Sequence, residues 1–240
     1  MPSHPYRKNP QVCHTRPEHG RITYLSQDDF GPLQGSSLFP KLADFNLTVP
    51  GLPGGLGHVF AIQSHRFRGP EVLLGCAWSY SADIWNFGLF LWNLLEDTSL
   101  FDRPAGEDGE YDAHIHLAQI ASLLGEPPEE LIKRERLFRE LHLKAPILDL
   151  RGKECRTMNE FWGGPFFAND NQMFRRDLLT GGKSLADAVT ELAGDEKKKF
   201  LDLASSILQW LPKKRKTAKE LLSHPFFEEI RNDRDRHQSG

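Results

Sequence analysis

Residues 81–96 are apolar on nearly every face of a helix, and this constrains the fold more than any other feature of the chain. The apolar side chains of this stretch are Ile84, Trp85, Phe87, Leu89, Phe90, Leu91, Trp92, Leu94 and Leu95. A helix that is hydrophobic all round lies at the centre of a domain. Its apolar run of about twelve residues is shorter than the roughly 20 that a membrane span requires. The sequence therefore predicts a mainly helical domain around this segment, with no membrane association.

Further helices are predicted on the C-terminal side of this segment. Hydrophobic spacing favours helices over residues 113–124 and 129–141, and Gly and Pro residues make 142–183 a long irregular connection. Ser184, with Asp187 three positions on, is a candidate helix cap, and Thr217 with Glu220 forms a capping box for a last short helix. One amphipathic stripe combines Phe200, Leu203, Ala204, Ile207, Leu208 and Leu211.

The two ends of the chain differ from this helical body. Residues 1–20 are polar, basic and Pro-rich, which indicates a poorly ordered lead-in, and the charged residues 231–240 predict a frayed tail. Short strands are expected at 21–25 and 41–43, on either side of a loop. We therefore expect one domain over residues 21–230, with a short β-hairpin as its β-structure.

Charge and cysteine content exclude several functional classes. The 30 basic and 33 acidic side chains give a net charge of −3, so no global basic field favours direct nucleic-acid binding. Cys13, Cys76 and Cys155 are widely separated and lack metal-ligand spacing, which predicts free thiols. The N-terminus carries no apolar core of a signal peptide. We expect a protein of the cytoplasm, the nucleus or both.

Four motifs occur in a fixed order along the chain. They are Asp44-Phe45-Asn46, R-x-P-E-V-x-L-G at residues 68–75, S-x-x-x-D-I-W at 79–85 and K-R-x-T-A-x-E-L-L-x-H-P-F-F at 214–227. The set resembles the second half of a eukaryotic serine/threonine protein kinase domain, where a strand ends in D-F-G and A-P-E closes the activation segment. The resemblance implies the helical C-terminal lobe of a protein kinase-like fold.

The resemblance extends to one branch of the kinases. Residues 65–75, 116–128 and 21–26 are similar to segments of the SR-protein kinases, the last of them to the fungal type. The implied reaction is transfer of the ATP γ-phosphate to Ser in Arg/Ser-rich proteins. The implied cofactors are ATP and Mg²⁺, and the implied partner is an Arg/Ser-rich protein.

The resemblance gives roles to residues at both ends of the activation segment. Asp44 would be the Mg²⁺ ligand that bridges the ATP phosphates, although an aspartate capping a turn fits the same spacing. Phe45 follows it, and Asn46 replaces the usual glycine; Asn is the residue that best tolerates φ > 0 after glycine. Arg66 and Arg68 would hold a phosphate or an acidic side chain, where the alternative is two surface charges.

Three residues receive structural roles. Glu71 would form a buried ion pair with Arg215, whereas Arg215 could instead be one more solvated charge in a basic run. Asp83 would accept backbone N–H bonds from the catalytic loop. An acid in the first turn of a helix is also favoured by the helix dipole alone.

The catalytic parts of the kinase pattern are not found in these 240 residues. Only 43 residues precede Asp44, so we expect the N-terminal lobe, with its Gly-rich loop and lysine, to be absent. His14-Thr15-Arg16 begins like a catalytic loop but carries Arg16 where the aspartate belongs. The glycines of residues 51–57 follow Asp44 and do not fit a phosphate-binding loop. No catalytic base is identified, and this chain alone is expected to be inactive.

Two further interpretations stay open. One is a non-catalytic, pseudokinase-like interaction module, whose acidic stretch 107–112 would dock a basic, Arg-rich partner by charge; the alternative for that stretch is a solvated loop. The other is an incomplete gene product, which would expose apolar surface that another lobe normally covers.

Overall fold

The computed structural model describes residues 13–16, 21–24, 45, 48–52, 57–181 and 184–232, with the backbone alone for the first two ranges. The chain divides into two compact units, residues 1–46 and residues 47–240. In the first unit, β1 (Cys13–Arg16) and β2 (Arg21–Tyr24) pair antiparallel, with Cys13 opposite Tyr24 and Arg16 opposite Arg21. β1 lies within residues 1–20, which the sequence predicts to be a poorly ordered lead-in. This part of the lead-in therefore forms a strand. The strand expected at 41–43 lies outside the described residues.

The second unit is helical. Its elements are α1 (Pro70–Leu73), α2 (Ser81–Glu96), α3 (Ala113–Leu124), α4 (Glu129–Arg139), the antiparallel pair β3 (Ile147–Leu148) and β4 (Glu154–Cys155), α5 (Met158–Phe161), α6 (Gly194–Ile207) and α7 (Ala218–Leu221). The described residues contain no helix long and apolar enough to cross a membrane. The fold is mainly α, as the sequence predicts, whereas the sequence does not predict the strands β1, β3 and β4.

Helix α2 is the centre of the second unit. Trp85, Leu89 and Trp92 are at most 3% exposed, and Gly88 allows close approach of α6, because a Cβ there would lie 2.5 Å from Ile207 Cγ2. The predicted central position is confirmed, but three apolar side chains of α2 are exposed: Phe87 is 37%, Phe90 50% and Leu94 64% exposed. Apolar composition shows which faces can be buried, but it does not supply a neighbour for each of them.

The capping residues explain where several helices begin. Asp112 accepts the backbone N–H of His114 and Ile115 at the start of α3. Thr217 and Glu220 exchange bonds as a capping box at α7, and Thr157 and Glu160 do the same at α5. Ser184 and Asp187 exchange bonds too, yet residues 184–188 form a turn and the next helix begins at Gly194. The cap motif is present there without a helix.

Two buried carboxylates hold the irregular connection between α4 and α6. Glu135 accepts bonds from Arg139, from Asn159 Nδ2 at 2.7 Å and from the backbone N–H of Phe166. Glu96, at the end of α2, accepts the backbone N–H and hydroxyl of Thr190 at 2.7 and 2.8 Å. Burial alone would raise the pKa of Glu96, but these hydrogen bonds outweigh it and lower the pKa. The connection is therefore anchored to the helices at separate points.

Candidate functional site

The predicted metal ligand cannot be placed. Asp44 and Asn46 lie outside the described residues; Phe45 is described and is 63% exposed. Within the described part of the chain, no group of three or more His, Cys, Asp or Glu side chains could hold a metal ion.

The segment before α1 is fastened to the residues that precede α2. His58 and Trp78 exchange two backbone hydrogen bonds of 2.8 Å, and their ring centroids lie 4.8 Å apart with the planes tilted by 31°. Trp78 Nε1 donates to the carbonyl of Phe60 at 2.7 Å. Gly57 passes so close that a Cβ would lie 2.9 Å from the carbonyl oxygen of Trp78. These contacts hold residues 57–60 in one conformation.

Gln63 is the strained residue of this segment. Its φ of 67° lies in the left-handed region, which is costly for a residue with a Cβ. The side-chain amide bridges two elements: Nε2 donates to the carbonyl of Ala82 at 2.8 Å, and Oε1 accepts the backbone N–H of Gly69 at 2.9 Å. Such a conformation persists where surrounding contacts determine it, and the amide supplies two of them.

Arg68 is buried, not a surface charge, with 4% of the residue exposed. Its guanidinium donates to the carbonyls of Ile62 at 3.3 Å and Gln63 at 3.0 Å. It also lies over the rings of Tyr111, at 4.5 Å, and Trp162, at 4.1 Å. Aromatic faces attract a cation, and Arg stacks on them readily. In this arrangement Arg68 joins three segments and is not open to a phosphate from solvent.

Arg66 lies apart from Arg68 and is half-buried. Its Nη1 donates to Ser99 Oγ at 2.8 Å, across the 33 positions that separate the two residues. The structure does not bring the two arginines to a common ligand.

Glu71 and Arg215 form a bidentate ion pair beneath α1. Arg215 Nη1 and Nη2 each donate to one carboxylate oxygen of Glu71 at 2.7 Å, and neither side chain is exposed. The guanidinium also donates to the carbonyls of Ser81 at 2.9 Å and Gln209 at 3.0 Å. Pro70 at the first helical position begins α1 and places Glu71 one residue later. Arg215 is paired with the residue that the kinase resemblance implies and is not solvated.

Asp83 stands in the first turn of α2 with its side chain exposed. Partial desolvation raises the pKa of its carboxyl. Its position fits the favourable interaction of an acid with a helix N-terminus. The three residues that begin like a catalytic loop, His14, Thr15 and Arg16, lie in β1 of the first unit, and residues 17–20 after them are outside the described ranges.

Two acids of the stretch 107–112 already bind other groups of the chain. Asp112 caps α3, and Asp108 binds Arg151 through Nε at 3.0 Å and Nη2 at 2.8 Å. This hydrogen bond lowers the pKa of Asp108. Glu107 and Glu110 are exposed, and neither carboxylate forms an ion pair within the described residues. The loop thus already binds one guanidinium and keeps two further acids in water.

A buried histidine lies behind this loop. His116 is fully buried, with Nδ1 3.1 Å from the Tyr111 hydroxyl. Burial, and to a smaller extent the charges of Arg68 and His65, lower the pKa of His116 to about 3. Burial also raises the pKa of Tyr111 to about 12. Both groups are neutral at pH 7, and the Tyr111 ring, on which Arg68 lies, is held in place by His116.

Sequence reasoning missed the residues that surround Arg68. Tyr111 belongs to the acidic stretch, and Trp162 follows α5 inside the connection expected to be irregular. Neither has a local motif, because their role depends on contacts between distant segments. Gln63 could have been noticed only as a polar residue just before a resemblance motif. Among the described residues, hydrogen bonds and ring contacts thus join the segment before α1 to the helical part of the chain. The acidic stretch 107–112 lies beside these contacts.

The comparisons with known proteins identify the class. Residues 33–227 match the protein kinase domain family, and the chain belongs to that family. It shares the fold of the kinase domain in the crystal structure of PF14_0431, with a TM-score of 0.54 and 20% identity over 91% of this chain and 53% of that one.

Individual relatives narrow the branch to SR-protein-kinase-like serine/threonine kinases. A serine/threonine protein kinase of Aspergillus fumigatus is 31% identical over 189 residues, which cover 78% of this chain and 40% of the relative. The serine/threonine-protein kinase SKY1 of Saccharomyces cerevisiae is 33% identical, with 75% of this chain and 22% of the relative covered. The human dual specificity protein kinase CLK2 is 26% identical, with coverages of 72% and 29%. The chain thus spans less than half the length of these curated relatives.

Proposed function

We propose that this chain is the C-terminal-lobe part of a serine/threonine protein kinase that acts on Arg/Ser-rich proteins. We further propose that these 240 residues alone do not transfer phosphate. The observation that carries the proposal is the bidentate Glu71–Arg215 pair, which ties the end of the activation segment to the helices below it. Before residue 44 the sequence carries no complete catalytic loop, since His14-Thr15-Arg16 has an arginine in place of the aspartate. Asp44 would bind the Mg²⁺ ion that accompanies ATP.

The test is phosphate transfer from labelled ATP to an Arg-Ser peptide. We expect no incorporation above a peptide-free blank with the purified chain. Robust transfer that disappears in Asp44→Ala, and persists in the exposed-surface control Glu229→Ala, would overturn the proposed inactivity. It would at the same time support Asp44 as a metal ligand.

A second candidate function, a non-catalytic docking module, is favoured by the acidic loop. Asp108 already holds a guanidinium at hydrogen-bonding distance, and Glu107 and Glu110 extend the negative surface beside it. Complementary charge of this kind steers a basic partner and fixes its register. An Arg/Ser-rich segment carries the matching guanidinium groups.

This module is tested by fluorescence anisotropy with a labelled Arg-Ser peptide, without nucleotide. We expect saturable binding that weakens with salt and is lost when Glu107 and Glu110 are both changed to Lys. The matched control is Glu229→Lys, an exposed acid at the far end of the described chain. Binding that survives the double reversal would exclude the acidic loop as the docking site.

A further inference from the structure

Ser99 lies in a position that has no part in the proposed function. It follows the end of α2, is half-buried, and lines a cavity of about 550 Å³ between α2, α3 and residues 180–190. Its Oγ accepts a hydrogen bond from Arg66 Nη1 at 2.8 Å. Among the described residues this is the one side-chain hydrogen bond that Arg66 makes, and Arg66 has no carboxylate partner there. The serine hydroxyl thus already accepts a hydrogen bond from a guanidinium that has no acidic partner among the described residues.

The residues after Ser99 supply a recognition pattern. Asp102 stands three positions later and is exposed, whereas Thr98 has Phe101 at the equivalent position. Protein kinases that select an acidic residue at the third position after the target would therefore discriminate Ser99 from its neighbour. The cavity beside the hydroxyl leaves space for an added group.

We propose that Ser99 is a phosphorylation site for an acid-directed protein kinase and that Arg66 binds the resulting phosphate. In the reaction Ser99 Oγ bonds to the γ-phosphorus of ATP, the bond from that phosphorus to the bridging oxygen breaks, and ADP leaves. The hydroxyl proton passes to the base of the modifying kinase. A phosphoserine dianion accepts two parallel bonds from one guanidinium, so the single neutral bond becomes a charge-assisted pair.

Like charges nearby oppose this pair and have to be weighed. Asp97 and Asp102 flank the site, and the C-terminal end of α2 disfavours an anion. Both aspartates are exposed, so water and salt screen them, and Glu96 is already bonded to Thr190 and Glu191. Arg66 is half-buried and already in place. The attraction therefore prevails, and the phosphate ties residues 65–67 to the loop after α2.

The first experiment treats the purified chain with an acid-directed kinase and ATP and maps the modified residue by mass spectrometry. We expect phosphate on Ser99 that is absent from this position in Ser99→Ala; the phosphate has to be mapped by residue, because Ser26 and Ser184 also have an aspartate three positions later. Ser205, an exposed serine that donates to the carbonyl of Asp202, serves as a control position that stays unmodified. Absence of phosphate from Ser99 would overturn the proposal.

A second experiment tests the role of Arg66 with phosphoserine placed at position 99 by genetic encoding. We expect the midpoint of thermal unfolding to rise by roughly 2–4 °C, as one charge-assisted pair would give in a chain of this size. In Arg66→Ala the phosphorylated form should melt at or below the unmodified form. An unchanged or lowered midpoint in the otherwise wild-type chain, or an equal rise in Arg66→Ala, would show that Arg66 does not bind the phosphate.

Discussion

Arg215 places both terminal nitrogens of its guanidinium 2.7 Å from the two carboxylate oxygens of Glu71, which lies 144 positions earlier in the chain. No water reaches either side chain. The pair joins the segment before α2 to the segment before α7 and packs beside Trp85, over whose ring the guanidinium lies at 5.1 Å. Such a pair contributes little net stability as a whole, but removal of one partner leaves a buried charge.

We therefore expect Arg215→Ala to lower the free energy of unfolding by about 3–5 kcal/mol. Urea unfolding followed by tryptophan fluorescence measures the loss. Lys213→Ala is the matched control, because Lys213 is an exposed basic residue two positions away whose partner, Glu130, is also exposed. Equal effects of the two substitutions would contradict a special role for the buried pair.

Because His116 is buried, the free energy of unfolding is expected to fall as the pH decreases below about 6.5; we call this range the acid limb. The pKa of His116 is about 3 in the folded chain and about 6.5 when unfolded, so the unfolded state binds more protons between these values. The contribution of the neutral ring is complete above pH 6.5 and falls by about 1.4 kcal/mol per pH unit as the pH decreases toward 3. Unfolding in urea at pH 7, 6, 5 and 4 measures this slope.

His116→Gln removes the titrating group and should flatten this limb, even if the variant is less stable at pH 7. His142→Gln is the control, since His142 is exposed and its Nδ1 contacts only the carbonyl of Glu140. An acid limb that is unchanged in His116→Gln would assign it to other groups.

Two substitutions of Gln63, whose backbone is left-handed, distinguish the effect of backbone strain from the effect of its side-chain hydrogen bonds. Gln63→Ala loses both amide bonds and keeps the strain, whereas Gln63→Gly loses the bonds and relieves the strain. We expect both to destabilise the chain, with Ala worse than Gly by about 1 kcal/mol. Urea unfolding gives the order. Gln209→Ala should have little effect, because the half-buried Gln209 makes a single amide bond, to the carbonyl of Ser205 on its own helix end, and has an ordinary backbone conformation. The reverse order would show that residue 63 leaves the left-handed region in solution.

Glu135 is expected to be essential for the connection between α4 and α6. Glu135→Ala removes the acceptor of the Phe166 N–H and one of the two acceptors of Asn159 Nδ2, which keeps the carbonyl of Leu74, at a cost of about 3 kcal/mol. Limited proteolysis should then cut within residues 157–167 before other sites. The control is Glu129→Ala, where the acid lies on the same helix but is exposed and paired with Lys133. Unchanged protection of this segment would remove Glu135 as its anchor.

The helices could be predicted from the sequence where local signals agree. The bounds of α2 and α3 match the expected ranges, since the apolar periodicity, the Asp112 cap and the break at Gly125 act within a few residues. β1 and the β3–β4 pair were missed because their strands are too short to show alternation. The burial of Arg68 between Tyr111 and Trp162 depends on three segments that meet only in the folded chain. Ser184 shows the opposite case: apolar residues at helical spacing follow the cap motif, but the backbone N–H groups of Thr190 and Glu191 donate to Glu96 and do not continue a helix.

The two anchored carboxylates change the effective size of the connection between α4 and α6. A loop of that length would carry a large closure entropy if its ends alone were fixed, and each doubling of length adds about 0.6 kcal/mol. Glu135 holds it near Asn159 and Phe166, and Glu96 holds it at Thr190. The long connection therefore behaves as a series of short loops, and residues inserted between two anchors, such as between 168 and 187, would lengthen only that one loop and leave the others undisturbed.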